Sequence, residues 1–327
     1  MSGNGANRFN VVMTAPQVAA EAMALMEKAG CALHYTAPYP SSAVLSELVA
    51  RVRADAILAR QGQVDAAVLA ASPGLRVVAR HGVGVDEVDL AAAGRLGIMV
   101  TRAPGSNTGA VAEHAMALLL AIVKDFKPFG AIAAAGGWRG ATGHCRDVAG
   151  LRLGLVGSGN IGRAVARLAT AFGMHVSAYD PAFPELGLPG ITRASSMLAL
   201  AASSDVLSAH CPLTDETRGI IGAAELAAMP RGSFVVNTAR GGVVDEAALL
   251  AALESGHIEA AGLDVFETEP PPPDHPLRNH PRVLVTPHVA GVTPGSLVNM
   301  GVMAAECIIA VLTGTAVPPD RLVVPGH

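Results

Sequence analysis

The chain is predicted to be an α/β protein of two domains, each a parallel sheet covered by helices. The main reason is alternation: short apolar runs of strand length take turns with helix-period stretches along almost the whole sequence, the pattern left by βαβ units. Its 327 residues exceed the roughly 100–200 of a single domain, so two cores are expected. Apolar residues make up 51% of the chain and aromatics only 3%, so those cores must be filled by Ala, Val, Leu and Ile. Small side chains of this kind suit helices packed closely on parallel strands.

Taken in order, Asn10–Met13, Ala32–Tyr35, Ala56–Leu58, Arg76–Ala79 and Ile98–Thr101 are expected strands, with Ala- and Leu-rich helices between them. The cluster Pro104-Gly105-Ser106-Asn107 then breaks the pattern. Ser106 or Asn107 is suited to cap the long helix that follows through Val111, Ala115, Leu118, Leu119 and Ile122. A second series of strands is expected at Arg152–Val156, His175–Tyr179, Val206–Ala209, Phe234–Asn237, Ala260–Asp264 and Val283–Thr286. The run Pro270–Pro273 reads as a rigid loop, and an apolar helix, Ser296–Leu312, precedes a Pro-rich tail.

Charge and cysteine usage exclude several classes. The net charge is −4 with no long run of Lys or Arg, which argues against a nucleic-acid partner or a polybasic membrane surface. Met1–Asn10 is polar and Gly-rich, without the charged-then-apolar pattern of a signal peptide. The most apolar helical run, taken as Ala115–Val123, falls far short of the ~20 residues that cross a bilayer. The four cysteines, Cys31, Cys145, Cys211 and Cys307, stand far apart with no CxxC pair, so free thiols in a reducing cytoplasm are expected. His275, His280 and His288 fall close together, but in a Pro-rich loop without metal-ligand spacing, so no metal is expected. His81 and His114 are expected to be structural.

Gly157-x-Gly159-x-x-Gly162 follows an expected strand and opens an expected helix. Gly157 permits the tight turn, Gly159 lets backbone approach a pyrophosphate, and Gly162 allows close helix–strand packing. Alone such a motif is weak. The next strand, however, ends in Tyr179-Asp180, about 20 residues further on, where an acidic residue binds the adenosine ribose hydroxyls. Asp180 would repel a 2′-phosphate, so NAD is expected over NADP. The simpler reading of Asp180 is a helix cap before Pro181.

Three polar residues stand at ends of strands in the second series: Arg240, Glu269 and His288. Oxidation of a hydroxy acid needs a cation for the carboxylate, a base for the hydroxyl proton and a carboxylate to orient that base. Arg, His and Glu supply this set, although singly they also fit a surface cation, a core histidine and a solvated loop acid.

These residues lie in motifs that resemble the D-isomer-specific 2-hydroxyacid dehydrogenase family along nearly the whole chain. The resemblance runs through His81–Asp86 with Val88-Asp89, Asn107–His114, the Gly157 loop, His210–Thr214, Asn237–Asp245, Gly262–Pro271 and Thr286–Gly291. It implies an NAD-binding, doubly wound Rossmann domain at 105–290 inserted into a flavodoxin-like substrate domain formed by 1–104 and 291–327. It further implies that Arg240 holds the substrate carboxylate, that His288 exchanges the proton and that Glu269 supports the imidazolium. Val83, Gly84 and Arg60 would be further substrate contacts. Asn160, Ile161, Asp180, Cys211, Thr217, Thr238, Asp264 and Gly291 would line the cofactor site with the three glycines, and Thr108 would lie near the nicotinamide.

The same resemblance implies a homodimer paired through the helix Thr108–Val123, which the pattern alone reads equally well as a buried intradomain helix. Formate dehydrogenases of the superfamily carry Gln where Glu269 stands, so formate is not the expected substrate. Hydroxypyruvate, glyoxylate, 3-phosphohydroxypyruvate and bulkier keto acids stay open. Arg60 matches an Arg used near the phosphate in phosphoglycerate dehydrogenases, but the Ser and Thr that usually follow are replaced by Gln61 and Gln63. Ending at His327, the chain is expected to lack the regulatory domain of many such enzymes. The alternative from another class is an NAD(H)-responsive co-repressor, which keeps the same three residues; short termini and no evident peptide-docking feature weigh against it.

Overall fold

The computed structural model describes residues 8–138, 145–182 and 190–326. The polar stretch at Met1–Asn7 and the last residue, His327, therefore lie outside the described residues. The chain divides into two compact units, one formed by Met1–Asn107 with Val292–His327 and the other by Thr108–Gly291.

Unit 1 runs through β1 (Phe9–Met13), α1 (Ala20–Lys28), β2 (Cys31–Tyr35), α2 (Ser42–Val52), β3 (Ala56–Ala59), α3 (Ala66–Ala70), β4 (Val77–Arg80), α4 (Leu90–Leu96) and β5 (Met99–Thr101). Unit 2 follows with α5 (Thr108–Val123), α6 (Phe126–Ala134), β6 (Arg152–Val156), α7 (Asn160–Ala171), β7 (His175–Tyr179), β8 (Thr192–Arg193), α8 (Met197–Ala202) and β9 (Val206–Ala209). It ends with α9 (Ala223–Ala228), β10 (Ser233–Asn237), α10 (Glu246–Glu254), β11 (Ile258–Leu263), α11 (Pro276–Asn279) and β12 (Val283–Val285). The chain then returns to unit 1 as α12 (Pro294–Thr313) and β13 (Leu322–Val324).

Unit 1 holds a 6-stranded sheet ordered β13-β5-β4-β3-β1-β2, parallel except for the antiparallel pairing of β13 with β5. Its first five strands follow the flavodoxin-like order. Unit 2 holds a 7-stranded parallel sheet ordered β12-β11-β10-β9-β6-β7-β8. Starting at β6, this is the doubly wound Rossmann order, reversing between β6 and β9. Strands buried on both faces carry near-continuous apolar runs with few polar residues. Accordingly β3, β9 and β10 are buried at every position.

Helices begin where short polar side chains accept first-turn N–H groups: Ser41, Asp65, Asp89, Ser196, Asp245 and Thr293. The expected cap of α5 differs. Ser106 instead closes its own turn by donating to the Ala103 carbonyl at 2.7 Å, and Asn107 Oδ1 is buried without a hydrogen-bond partner. Asp264 and Thr286, expected as strand ends, fall beyond β11 and β12, because their side chains bond one another and turn the chain away from the sheet.

α12 corrects the expectation, drawn from Ala115–Val123, that no apolar helical run approaches the length that crosses a bilayer. It has 20 residues and a mean hydropathy of 1.8 over its most apolar window, long and apolar enough by those measures to cross a membrane. In unit 1 its Ala304, Ala305 and Ile308 are buried and join the core with residues of α1, β3 and β4. Long apolar helices of this kind also arise as core helices, since a helix enclosed by other elements carries few polar positions.

Small residues set the spacing of the layers. Gly154 lies inside β6, where a Cβ would stand 2.3 Å from Ser204 Oγ and 2.8 Å from Leu207 Cδ2. Gly154→Ala is therefore expected to destabilise the protein by about 1–3 kcal/mol through overpacking. It should read as a lower urea midpoint at unchanged m value. An unchanged midpoint would mean that Ser204 and Leu207 yield without cost.

Candidate active site

Unit 2 gathers its polar residues at the carboxyl ends of its parallel strands, where loops leave the sheet and ligand crevices form. β6 runs into Gly157, whose φ is 99°, and a Cβ there would stand 2.8 Å from the His210 carbonyl oxygen. Only glycine satisfies both. At Gly162 a Cβ would be 2.3 Å from the Gly157 carbonyl oxygen, so turn and helix lie in direct contact. Gly159 differs, for its Cβ would meet nothing within 4 Å. It caps α7 with no side-chain hydrogen bond, which leaves the N–H groups of Asn160–Gly162 and the positive end of the helix dipole without a side-chain acceptor.

Asp180 follows β7 and is buried. Its Oδ2 accepts Ser158 N–H at 2.6 Å and Ser158 Oγ at 3.1 Å, and its Oδ1 accepts Ala182 N–H at 2.9 Å. The carboxylate thus braces the glycine turn and keeps acceptor capacity on Oδ1. Nearby, burial and then the Asp180 charge push the Cys211 thiol up to about 11, so Cys211 serves as a small apolar wall and not as a thiolate. Thr217 spends its hydroxyl on the Pro212 carbonyl at 2.6 Å, closing the turn after β9. Thr238, just past β10, is buried with Oγ1 unpartnered. An uncapped helix start, a glycine with open space, a braced acid and an orphaned hydroxyl together fit a dinucleotide. Thr108 opens α5 and Gly291 closes the unit.

The last residue of β10 builds the turn that carries Arg240. Asn237 Oδ1 accepts Ala239 N–H at 3.0 Å, and its Nδ2 donates to the Arg240 carbonyl at 2.9 Å. The guanidinium is anchored in part by donating from Nη1 to the Ala239 carbonyl at 2.7 Å.

β11 leads into Asp264, which is buried at 1% exposure. Its Oδ1 accepts the Thr286 hydroxyl at 2.6 Å and Val289 N–H at 2.9 Å, and its Oδ2 accepts Ala290 N–H at 2.9 Å. The Asp264 carbonyl accepts His288 N–H at 2.8 Å. Held this way, His288 takes φ 53°, the left-handed region that non-glycine residues rarely enter. His114 on α5 completes the knot, its Nε2 lying 2.9 Å from Thr286 Oγ1.

The pair at the centre is His288 Nδ1 and Glu269 Oε2, 2.6 Å apart. Glu269 Oε1 accepts Phe266 N–H at 3.1 Å. Burial pulls the Glu269 carboxyl up, but the His288 hydrogen bond and charge, the Phe266 N–H and the Arg240 charge together hold it below its ordinary value. For His288 the Glu269 hydrogen bond outweighs burial and raises the imidazole above its ordinary value, with the Glu269 and Asp264 charges helping and Arg240 opposing. An ionised Glu269 makes Nδ1 the donor and leaves Nε2 to exchange a proton.

In unit 1, Val83 and Gly84 are half-buried in the loop after β4. That loop is clamped by Arg80, whose Nε donates to the Gly84 carbonyl at 2.8 Å while its guanidinium pairs with Glu87 at 2.9 Å. Sequence reasoning missed Arg80; its place just before the His81 motif was the available signal. Arg60 follows β3, donating N–H to Thr14 Oγ1 at 2.8 Å and Nη1 to the Gln17 carbonyl at 2.8 Å. His81 is buried, and burial followed by the Arg60 charge lowers it to about 4, so it stays neutral near pH 7.

Among known proteins, a family profile described as D-isomer specific 2-hydroxyacid dehydrogenase, NAD binding domain, matches residues 116–290. A D-3-phosphoglycerate dehydrogenase of Archaeoglobus fulgidus is 38% identical over 308 residues, 94% of this chain and 58% of that protein. A hydroxypyruvate reductase of Thermotoga maritima is 40% identical over 248 residues, 75% of this chain and 80% of the relative. A solved structure from Thermus thermophilus matches with a TM-score of 0.86 at 38% identity, covering 96% of this chain and 100% of that one. The chain spans only 52–58% of the length of the phosphoglycerate dehydrogenases it matches.

The Glu269–His288 geometry makes a signed prediction. Glu269→Gln removes the charge that favours the imidazolium, so the titration midpoint of His288 should fall, by about one pH unit or more. NMR of histidine-labelled protein reads it directly. A midpoint unmoved by the substitution would mean that the Glu269 carboxylate does not hold the ring in solution.

Proposed function

The chain belongs to the D-isomer-specific 2-hydroxyacid dehydrogenase family, unit 2 being its NAD-binding domain, and from that premise we propose that it interconverts a small D-2-hydroxy acid and its 2-oxo acid. One observation carries the reading: His288 and Glu269 form a 2.6 Å pair that leaves Nε2 of a raised imidazole to exchange a proton.

In this reading NAD, when bound, takes up or supplies the hydride at substrate C2. Asn160, Ile161 and the three glycines would hold its pyrophosphate, Asp180 its adenosine ribose, and Cys211, Thr217, Thr238, Asp264, Gly291 and Thr108 would line the remainder. Arg240 would bind the substrate carboxylate in the planar, two-point manner that guanidinium allows. Val83 and Gly84 would offer backbone N–H groups, and Arg60 a further cationic contact. During oxidation His288 Nε2 would take the hydroxyl proton, and during reduction it would return it to the oxo oxygen. Glu269 would stabilise the imidazolium formed between those events without itself becoming protonated.

Hydroxypyruvate, glyoxylate and 3-phosphohydroxypyruvate are the proposed substrate classes, in keeping with the names of the relatives. Those names do not favour the co-repressor alternative.

A cytoplasmic homodimer is proposed as well. Cysteines that are all free support a reducing compartment. For the dimer, the helix first expected to pair subunits, α5, is mostly consumed by the core of unit 2, with Val111, Ala115, Leu118, Leu119 and Ile122 all buried. Among the described residues of unit 2, the most exposed large apolar side chains are Phe126 at 64%, on α6, which buries none of its residues, and Trp138 beyond it at 79%.

The activity is tested by NADH oxidation with the three oxo acids. Turnover with at least one is expected, and His288→Asn should lower it by roughly 100-fold or more while NADH binding persists. Failure of every substrate would overturn the reading. Cofactor choice is a separate test. Wild-type protein should prefer NADH over NADPH by about 100-fold or more in kcat/KM, because a 2′-phosphate would meet the Asp180 charge. Asp180→Ser should shrink that ratio, also weakening NADH because the brace on Ser158 is lost. Equal use of both cofactors by the wild type would remove Asp180 from the ribose site.

A further inference from the structure

Two neighbouring backbone N–H groups, those of Phe266 and Glu267, are each gripped by a carboxylate. Phe266 N–H donates to Glu269 Oε1 at 3.1 Å, and Glu267 N–H donates to Glu246 Oε1 at 2.7 Å. The peptide between them also touches the turn that carries Arg240. A Cβ on Gly241 would stand 1.9 Å from the Phe266 carbonyl oxygen and 2.4 Å from Glu267 N, so Gly241 packs directly on this peptide. Two successive peptide units that share Phe266 therefore border the turn that carries Arg240 and the carboxylate that holds His288.

Glu246 is well placed to fix it. It is the first residue of α10, whose start Asp245 caps, and a carboxylate is favoured at that end of the dipole. Its second oxygen, Oε2, faces His275 Nε2 at 3.1 Å. The side chains of His275 and Glu246 are only 20% and 17% exposed, so the contact is largely shielded from water. His275 Nδ1 is buried with no hydrogen-bond partner. Nε2 is therefore the ring nitrogen through which His275 engages Glu246. The ring also stands edge-on to Phe266, 5.3 Å between centroids at 82°. Glu246 and His275 thus hold the Phe266–Glu267 segment from both its backbone and its side chain.

We propose that Glu246 and His275 are positioning residues for the reaction, fixing the Phe266–Glu267 peptide so that Glu269 meets His288 beside Arg240. This rests on the reading of His288 and Glu269 given above. A mere brace for the loop would add stability without altering the ring's proton affinity, whereas a positioning role ties Glu246 to His288. The groups facing that ring are Glu269, Arg240 and Asp264, and the Glu269 carboxylate is hydrogen-bonded to Phe266 of this segment.

The experiment is NMR titration of His288 in the full chain, comparing wild type with Glu246→Ala and Glu246→Gln. Glu246→Ala is expected to lower the His288 midpoint by about one pH unit, toward the Glu269→Gln value. It should also cut kcat by about tenfold or more, the scale of small misplacements, with KM for NADH within about twofold of wild type. Glu246→Gln keeps an acceptor for Glu267 N–H and should recover part of both losses. A His288 midpoint unmoved in folded Glu246→Ala overturns the proposal, whatever its effect on melting temperature. If Glu246→Ala does not fold, His275→Gln takes its place with the same expectation and the same overturning result. The titration needs no substrate. A wild type inactive toward every oxo acid would sink the proposed activity while the titration still decided this point.

Discussion

A buried carboxylate organises this protein's candidate site. Asp264 is nearly sealed from water, and an ionised acid in such a place costs several kcal/mol unless its lone pairs are filled. They are filled by the Thr286 hydroxyl and the N–H groups of Val289 and Ala290, all from the segment after β12. The chain must wrap around Asp264 to deliver these donors, and the wrap is what sets φ 53° at His288. Strain in the backbone of His288 is therefore offset by satisfaction of a neighbouring charge. The bond from His288 N–H to the Asp264 carbonyl fixes the same residue from its other side.

That knot works only because the layers beneath it are close. α5 lies so near β11 that a Cβ on Gly262 would meet Leu118 Cβ at 2.9 Å. The same approach brings His114 within 2.9 Å of Thr286. A core of Ala, Val and Leu with few rings permits this spacing. Phe234 is the main large exception in unit 2, fully buried in the strand that ends by launching Arg240. Packing and site geometry are one constraint here, expressed at two depths.

Much of this could be read in the sequence, for physical reasons that differ by element. β6, β7 and β9 fall where their runs put them: β6 is buried after Arg152 and β9 at every position, as strands covered on both faces require, while β7 alternates and buries Val176 and Ala178. β8 was not visible: it has two residues, Thr192 and Arg193, both exposed at the sheet edge. β13 was hidden in the Pro-rich tail, since three half-buried residues paired antiparallel to β5 leave no pattern to detect. The length of α12 was under-read because apolar composition, not amphipathic period, defines it. Motif spacing pointed to Arg240, Glu269 and His288, since each follows a strand end. Glu246 and His275 carried no comparable signal. They meet only because α10 and the loop before α11 fold back together, and His275 drew notice in the sequence solely as a possible metal neighbour.

The insertion of one unit into the other has a consequence for biosynthesis. Residues 108–291 are contiguous and hold all the strands of their own sheet, so unit 2 can complete its core as soon as β12 has emerged from the ribosome. Unit 1 has no such option. Its core includes Ala304, Ala305 and Ile308 of α12, and its strand β5 pairs with the edge strand β13, which comes late in the chain. The part made first, Met1–Asn107, must therefore wait, with the faces of β3 and β4 that α12 packs on uncovered, while the whole of unit 2 is translated. Closing so long a loop adds only logarithmically to the entropy of folding. The larger hazard is exposure time, during which open parallel strands invite chaperones or aggregation.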